Sequence, residues 1–159
     1  VYNQNGGMQL PMWEKLKETV MYLKSKGHRV DGIGWQGHLM NNNGLKQFVE
    51  NLDEELKKLS DLIDWAHSNK LEFHITELDY YNDGENNIFN SVKKQAEVYQ
   101  KLMDLLQEKS KNGLVTVNFW SMGERISSRG KKGHYMSIYD NDTIPTKTYE
   151  VVKKFINFN

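Results

Sequence analysis

The chain has 159 residues, enough for one ordinary domain with a real core. Its 21 basic and 21 acidic residues balance to a formal net charge of zero, so neither nucleic acid nor an anionic membrane is an expected partner. There is no cysteine, which excludes a disulfide framework and thiolate chemistry, and no apolar run approaches the ~18 residues of a membrane span.

Val1-Tyr2-Asn3 reads as a stub of strand, followed by a loop over 4–9 that contains Gly6 and Gly7. Val1 is not preceded by Met and no signal-peptide pattern follows it, so the start is expected to be a processed or excised boundary. Residues 10–26 predict a helix: Pro11 suits its first turn, Trp13, Leu16, Val20 and Leu23 recur at helical spacing, and Gly27 is a suitable C-cap. Residues 28–38 predict a strand in which Ile33 and Trp35 alternate with glycines, a sign of close backbone approach. After the turn Asn41-Asn42-Asn43-Gly44, residues 45–69 predict a helix interrupted near Ser60, with its acids and lysines on a solvated face. A third strand covers 71–78, and Tyr80-Tyr81-Asn82-Asp83-Gly84 leaves it as a loop whose tyrosines either stack on sugars or anchor the loop. A helix over 88–109, a strand over 114–120, a polar loop over 121–133 and a last helix ending near Phe155 complete the chain. Strand–helix alternation of this kind predicts parallel strands with helices outside.

Chemistry concentrates at the predicted strand ends. Glu77 and Asp79 are two apart, and on a strand such residues face the same side. Converging carboxylates repel, so they are either hydrogen-bonded and used or left as a solvated strand end. Gln36 and His38 share a face by the same rule, and Trp120 closes the fourth strand. His28, His38, His67, His74 and His134 are scattered without ligand spacing, so no metal or other cofactor is expected. Asn141-Asp142-Thr143 is a glycosylation sequon, a short pattern with a high false-positive rate.

Three stretches carry a family resemblance. Ile75-Thr76-Glu77-Leu78-Asp79 resembles the strand-seven motif of family 10 glycoside hydrolases, the endo-β-1,4-xylanase family. Val30-Asp31-Gly32-Ile33-Gly34-Trp35-Gln36-Gly37-His38-Leu39 is similar to its strand-six signature, and Val115-Thr116-Val117-Asn118-Phe119-Trp120 to its strand eight. A whole (β/α)₈ barrel takes roughly 200 residues or more. The resemblance therefore implies an α/β fold: the C-terminal half, about strands five to eight, of a (β/α)₈ TIM barrel. Residues 1–159 are then a partial catalytic domain.

The resemblance implies retaining hydrolysis of internal β-1,4-xylosidic bonds in xylan-type polysaccharide, with Glu77 as nucleophile. It makes His38 a hydrogen-bond partner of Glu77, Gln36 a polar lining group and Trp120 an aromatic platform under the sugar; Asp79 reads as a support that fixes neighbouring groups. In the family the acid/base Glu follows an Asn on strand four, so the resemblance implies that this strand should precede Val1, and no second Asn-Glu strand motif occurs here. The implied partner is an N-terminal half-barrel segment or a second copy, and the implied location is secreted or periplasmic. Glu124 stands where the family has Asp and Ser128 where it has a second Trp, which leaves the substrate more open than the reaction. A non-catalytic carbohydrate-binding half-barrel, keeping Trp35, Trp120 and the tyrosines, is the alternative. A half-barrel is also expected to expose two sheet edges and an apolar inner face, and so to be marginal as a lone monomer.

Overall fold

The computed structural model describes residues 1–39, 45–82, 92–120, 134–136, 138–140 and 143–156. The expected turn at 41–44, Asp83, Gly84, the start of the helix read from Ile88, the loop with Glu124 and Ser128, and the first two sequon residues lie outside them, as does the side chain of Tyr81.

The chain opens with β1 (Tyr2–Gln4) and α1 (Leu10–Ser25). Pro11 occupies the first turn of α1, where a missing N–H breaks no helical bond, and Trp13, Leu16 and Val20 form its buried stripe. The helix stops at Gly27, whose φ of 80° is left-handed. There the Gly27 N–H donates to the Lys24 carbonyl and the His28 N–H to the Leu23 carbonyl, which satisfies two helix-end acceptors.

The strand expected over 28–38 is divided into β2 (Gly32–Trp35) and β3 (His38–Leu39). The division falls at Gln36-Gly37, where Gly37 takes a φ of 77°. Next come α2 (Leu45–Glu50) and α3 (Leu52–Ser68). The interruption expected near Ser60 is instead at Asn51, whose φ of −113° and ψ of 43° leave the helical region. Asn is at home before a helix, and Asp53, Glu54 and Glu55 suit the positive end of the α3 dipole, so a new N-terminus forms there.

The chain continues through β4 (Glu72–Asn82), α4 (Val92–Lys109), β5 (Val115–Phe119), β6 (His134–Met136) and α5 (Lys147–Ile156). β4 runs past the predicted end at Leu78. Residues 80–82, read from sequence as loop, are strand because β6 pairs with them antiparallel while β3 pairs on the other side.

The main sheet is parallel in the order β1-β2-β4-β5, with helices between successive strands. This is the parallel, helix-covered sheet that strand–helix alternation predicts. Among the described residues the core lies on one face of the sheet, where Ile33, Trp35, Phe73, Ile75 and Leu78 meet the buried stripes of α1, α3 and α4.

The inner face corrects one expectation: it is polar. Helices cover the other face, so strand alternation sends the large apolar side chains there. Asn3, Glu72, His74, Thr76, Thr116 and Asn118 alternate with those core residues and remain at least partly exposed. His74 joins two of them, with Nδ1 at 2.8 Å from Thr116 Oγ1 and Nε2 at 3.1 Å from Glu72 Oε2. The Thr76 hydroxyl donates to Asn3 Oδ1 at 3.1 Å, reaching across Gly34. A Cβ on Gly34 would stand 2.7 Å from that oxygen, so β2 needs a glycine there.

Candidate active site

Five residues singled out in the sequence come together at the C-terminal end of the parallel sheet. Two of them, Glu77 and Asp79, are carried by β4. The buried apolar residues of this strand and its approach are Leu71, Phe73, Ile75, Leu78 and Tyr80, so the regular two-residue step is broken once, between Ile75 and Leu78. Across that break Ile75 and Leu78 pair with Val117 and Phe119, which are one residue closer together on β5. On the other side Trp35 pairs with Ile75 and His38 with Asp79, so β4 is also one residue longer than β2 and β3. This is a β-bulge, and it inverts the faces of the residues beyond it. Counted from Phe73 and Ile75, regular alternation would send Glu77 and Asp79 towards the helices. The extra residue returns Leu78 to the core and points both acids the other way.

His38 stands between the two acids. Its Nδ1 is 2.9 Å from Asp79 Oδ1, and its Nε2 is 3.2 Å from Glu77 Oε2. A carboxylate accepts and does not donate, so both contacts are hydrogen bonds when both ring nitrogens carry hydrogen. The hydrogen bond to Asp79 is the main reason that the imidazole holds its proton above the ordinary histidine range. Burial works against this, and the charges of Asp79 and Glu77 add to it. Asp79 is 6% exposed, whereas the side chains of His38 and Glu77 retain 21% and 22%, so Glu77 is the acid that a ligand can reach.

The backbone fixes this arrangement. The Glu77 N–H donates to the Gln36 carbonyl at 2.9 Å, and the Asp79 N–H reaches the Gly37 carbonyl at 3.4 Å. The Gln36 N–H donates to the Gln4 carbonyl at 2.9 Å, which ties β2 to β1 at the same level. Gln36 thus meets the acids through its main chain, and its side chain is half-buried. The Trp120 N–H donates to the Leu78 carbonyl at 3.1 Å. Its indole is 63% exposed and stands edge-on to the His38 ring, with centroids 6.0 Å apart at 88°. An exposed indole against the His38 ring, which in turn meets the partly exposed Glu77 carboxylate, offers a flat apolar surface near a polar group.

Two indoles hold the neighbouring loop. Trp35 Nε1 donates to the Gly6 carbonyl at 2.7 Å and Trp13 Nε1 to the Gly7 carbonyl at 2.9 Å. Sequence reasoning found neither of these anchoring roles. It also missed the bulge and the part played by Gly37, although the three-residue step from Ile75 to Leu78 was there to be read. Among the described residues no group of three His, Asp or Glu is arranged to hold a metal ion, and no helix is long and apolar enough to cross a membrane.

Known proteins share this architecture. The sequence model described as Glycosyl hydrolase family 10 matches residues 2–155. Endo-1,4-beta-xylanase A of Thermoanaerobacterium saccharolyticum is 31% identical over 128 residues, covering 79% of this chain and 10% of that protein. Beta-1,4-xylanase of Dictyoglomus thermophilum is 28% identical over 157 residues, covering 89% of this chain and 41% of that protein. Xylanase 10B of Thermotoga petrophila RKU-1, solved in complex with xylobiose, superposes with a TM-score of 0.69 at 23% identity. That superposition covers 99% of this chain and 46% of the other, and at such identity the likeness is one of fold. The chain spans less than half the length of each of these proteins.

Proposed function

Because the chain belongs to glycosyl hydrolase family 10, we propose that it is the C-terminal half of a family barrel and supplies the nucleophile for hydrolysis of xylan-type polysaccharide. The observation that carries this reading is the His38 imidazole held between Glu77 and Asp79 at the C-terminal strand ends, with Trp120 exposed beside it. Sites of (β/α)₈ enzymes lie at that end of the strands. The order of the three sequence motifs and the 46% share of the xylobiose-bound relative support the assignment to half a barrel.

In this reaction Glu77 attacks the anomeric carbon of a xylosyl unit resting against Trp120. The bond to the leaving oxygen breaks as that oxygen takes a proton, and a covalent glycosyl ester forms on Glu77. Water then attacks the same carbon, the ester bond breaks, and the product keeps its anomeric configuration. Glu77 attacks as the carboxylate, and the His38 Nε2 contact at 3.2 Å fixes the direction of its oxygen. The proton donor must stand about 5–5.5 Å from Glu77 across the sugar. Asp79 follows on the same strand and is occupied by His38, so it serves as a support. We assign the donor to a Glu on the N-terminal half, which makes that half the partner of this chain. Export to the cell exterior or periplasm, where polymeric xylan is met, belongs to the same proposal.

The test is a xylan-hydrolysis assay of the chain alone and mixed with the N-terminal half of a family member, with the product anomer followed by NMR. Activity with retained configuration in the mixture, absent from either half alone, is expected. Xylo-oligosaccharide binding without hydrolysis in a formed complex would favour the non-catalytic carbohydrate-binding reading.

A further inference from the structure

Gly37 lies between Gln36 and His38, at the point where β2 gives way to β3. Its φ of 77° is in the left-handed region that L side chains rarely adopt. The space around it is as restrictive as its backbone. A Cβ at this position would stand 2.8 Å from Ile75 Cγ2 and 3.4 Å from Leu78 Cδ1. Ile75 and Leu78 are the two residues that bracket the bulge of β4, and both are fully buried, so neither has room to retreat. The Gln36 and Gly37 carbonyls then receive the N–H groups of Glu77 and Asp79, one from within the bulge and one from beyond it.

We infer that Gly37 is a positioning residue for the acid pair: its missing side chain lets the strand cross the bulge closely enough to set His38 between Glu77 and Asp79. Regular pairing between β2 and β4 ends at Trp35 and Ile75, and resumes between His38 and Asp79 one residue out of step. Gly37 spans that slip. The bulge sets which way the acids point, and Gly37 sets where the imidazole meets them. The catalytic meaning of this rests on the reading of Glu77 as the reacting group, whereas the geometry does not.

Gly27 provides a control. Its φ is 80°, close to that of Gly37, yet a Cβ there would meet nothing within 4 Å. Gly27→Ala therefore carries the backbone strain alone, and Gly37→Ala carries the strain and the collision. The experiment follows the His38 ring nitrogens by NMR across a pH titration of the full 159-residue chain. In Gly37→Ala the His38 midpoint is expected to fall towards that of free histidine as the contacts to Asp79 and Glu77 lengthen. In Gly27→Ala it stays at the wild-type value. Where Gly37→Ala yields too little folded protein, Gly37→Asn is read in its place, because Asn tolerates left-handed φ while keeping the colliding Cβ. A folded Gly37 variant with an unmoved His38 midpoint would overturn the inference. In the assembled barrel the same variant should lower kcat more than it raises KM. If no hydrolysis exists to be lowered, the proposed function fails while the NMR result still stands or falls by itself.

Discussion

Each ring nitrogen of His38 has a carboxylate oxygen within 3.2 Å, so its protonation is tied to the fold. The proton is held more tightly in the folded chain than in the unfolded one, because Asp79 accepts a hydrogen bond from the ring. A raised folded midpoint gives stability that is whole below the unfolded midpoint, near 6.5, and is lost as pH climbs through the higher folded midpoint. In urea titrations the advantage of wild type over His38→Gln should therefore be greatest just below pH 6.5 and shrink through the range above it. An advantage that grew with pH would mean that the ring is neutral in the folded chain. Glu77 is tested differently, since its proposed part is covalent. In the assembled barrel Glu77→Ala should lower hydrolysis by roughly 10⁴-fold or more, the scale seen when a nucleophile is removed. Added azide or formate should restore part of the rate on a substrate with an activated leaving group, by occupying the space of the lost carboxylate. Near-full activity in Glu77→Ala would end the assignment.

At the scale of elements, glycines decide how closely strands approach. A Cβ on Gly32 would lie 2.8 Å from the Glu72 carbonyl oxygen and 3.0 Å from Glu72 Cβ, and backbone cannot swing aside. At an open strand position Gly→Ala is commonly stabilising by about 0.4–1 kcal/mol. Gly32→Ala should instead destabilise by about 1–3 kcal/mol, the usual cost of overpacking, as read from the urea midpoint. A neutral or stabilising result would show that β2 and β4 can separate at no cost. Such contacts also mark how far the sequence could be read. The alternation of strands and helices was legible because each helix carries a periodic stripe, such as Trp13, Leu16 and Val20 in α1. The placement of Glu77 and Asp79 on one face was legible too, but the reason was incomplete: steady alternation from Phe73 puts that face on the wrong side. Only the three-residue step from Ile75 to Leu78 reveals the bulge that reverses it. β6 has no local signal, because three residues take their pairing from the far end of β4. The conformation of Gly37 is hidden for a related reason, since a glycine permits a left-handed φ without announcing one.

At the scale of the whole molecule, the decisive features are how the sheet ends and which groups its inner face displays. β1 and β5 are the edges of the parallel sheet, three and five residues long. Short edges make weak templates for self-pairing. The inner face adds no drive to it, because burying Glu72 and His74 against an unmatched surface costs free energy. A second copy is also a poor filling for the barrel. The interior of such a fold is normally packed by layers of bulky side chains, and this half contributes Gly32 and Gly34 where two of them would stand. Two copies would double that deficit and, on the proposed reading of Glu77, supply two nucleophiles with no proton donor on the facing strands. A different half can bring both the missing volume and the donor. The chain alone should accordingly sediment as a monomer at micromolar concentration. Adding the N-terminal half of a family member should give a 1:1 complex. At a hundredfold excess over its dissociation constant, that partner should raise stability by about 2.7 kcal/mol, visible as a higher urea midpoint. A chain that dimerises on its own at the same concentration, with no change on adding the N-terminal half, would make the second copy the partner instead.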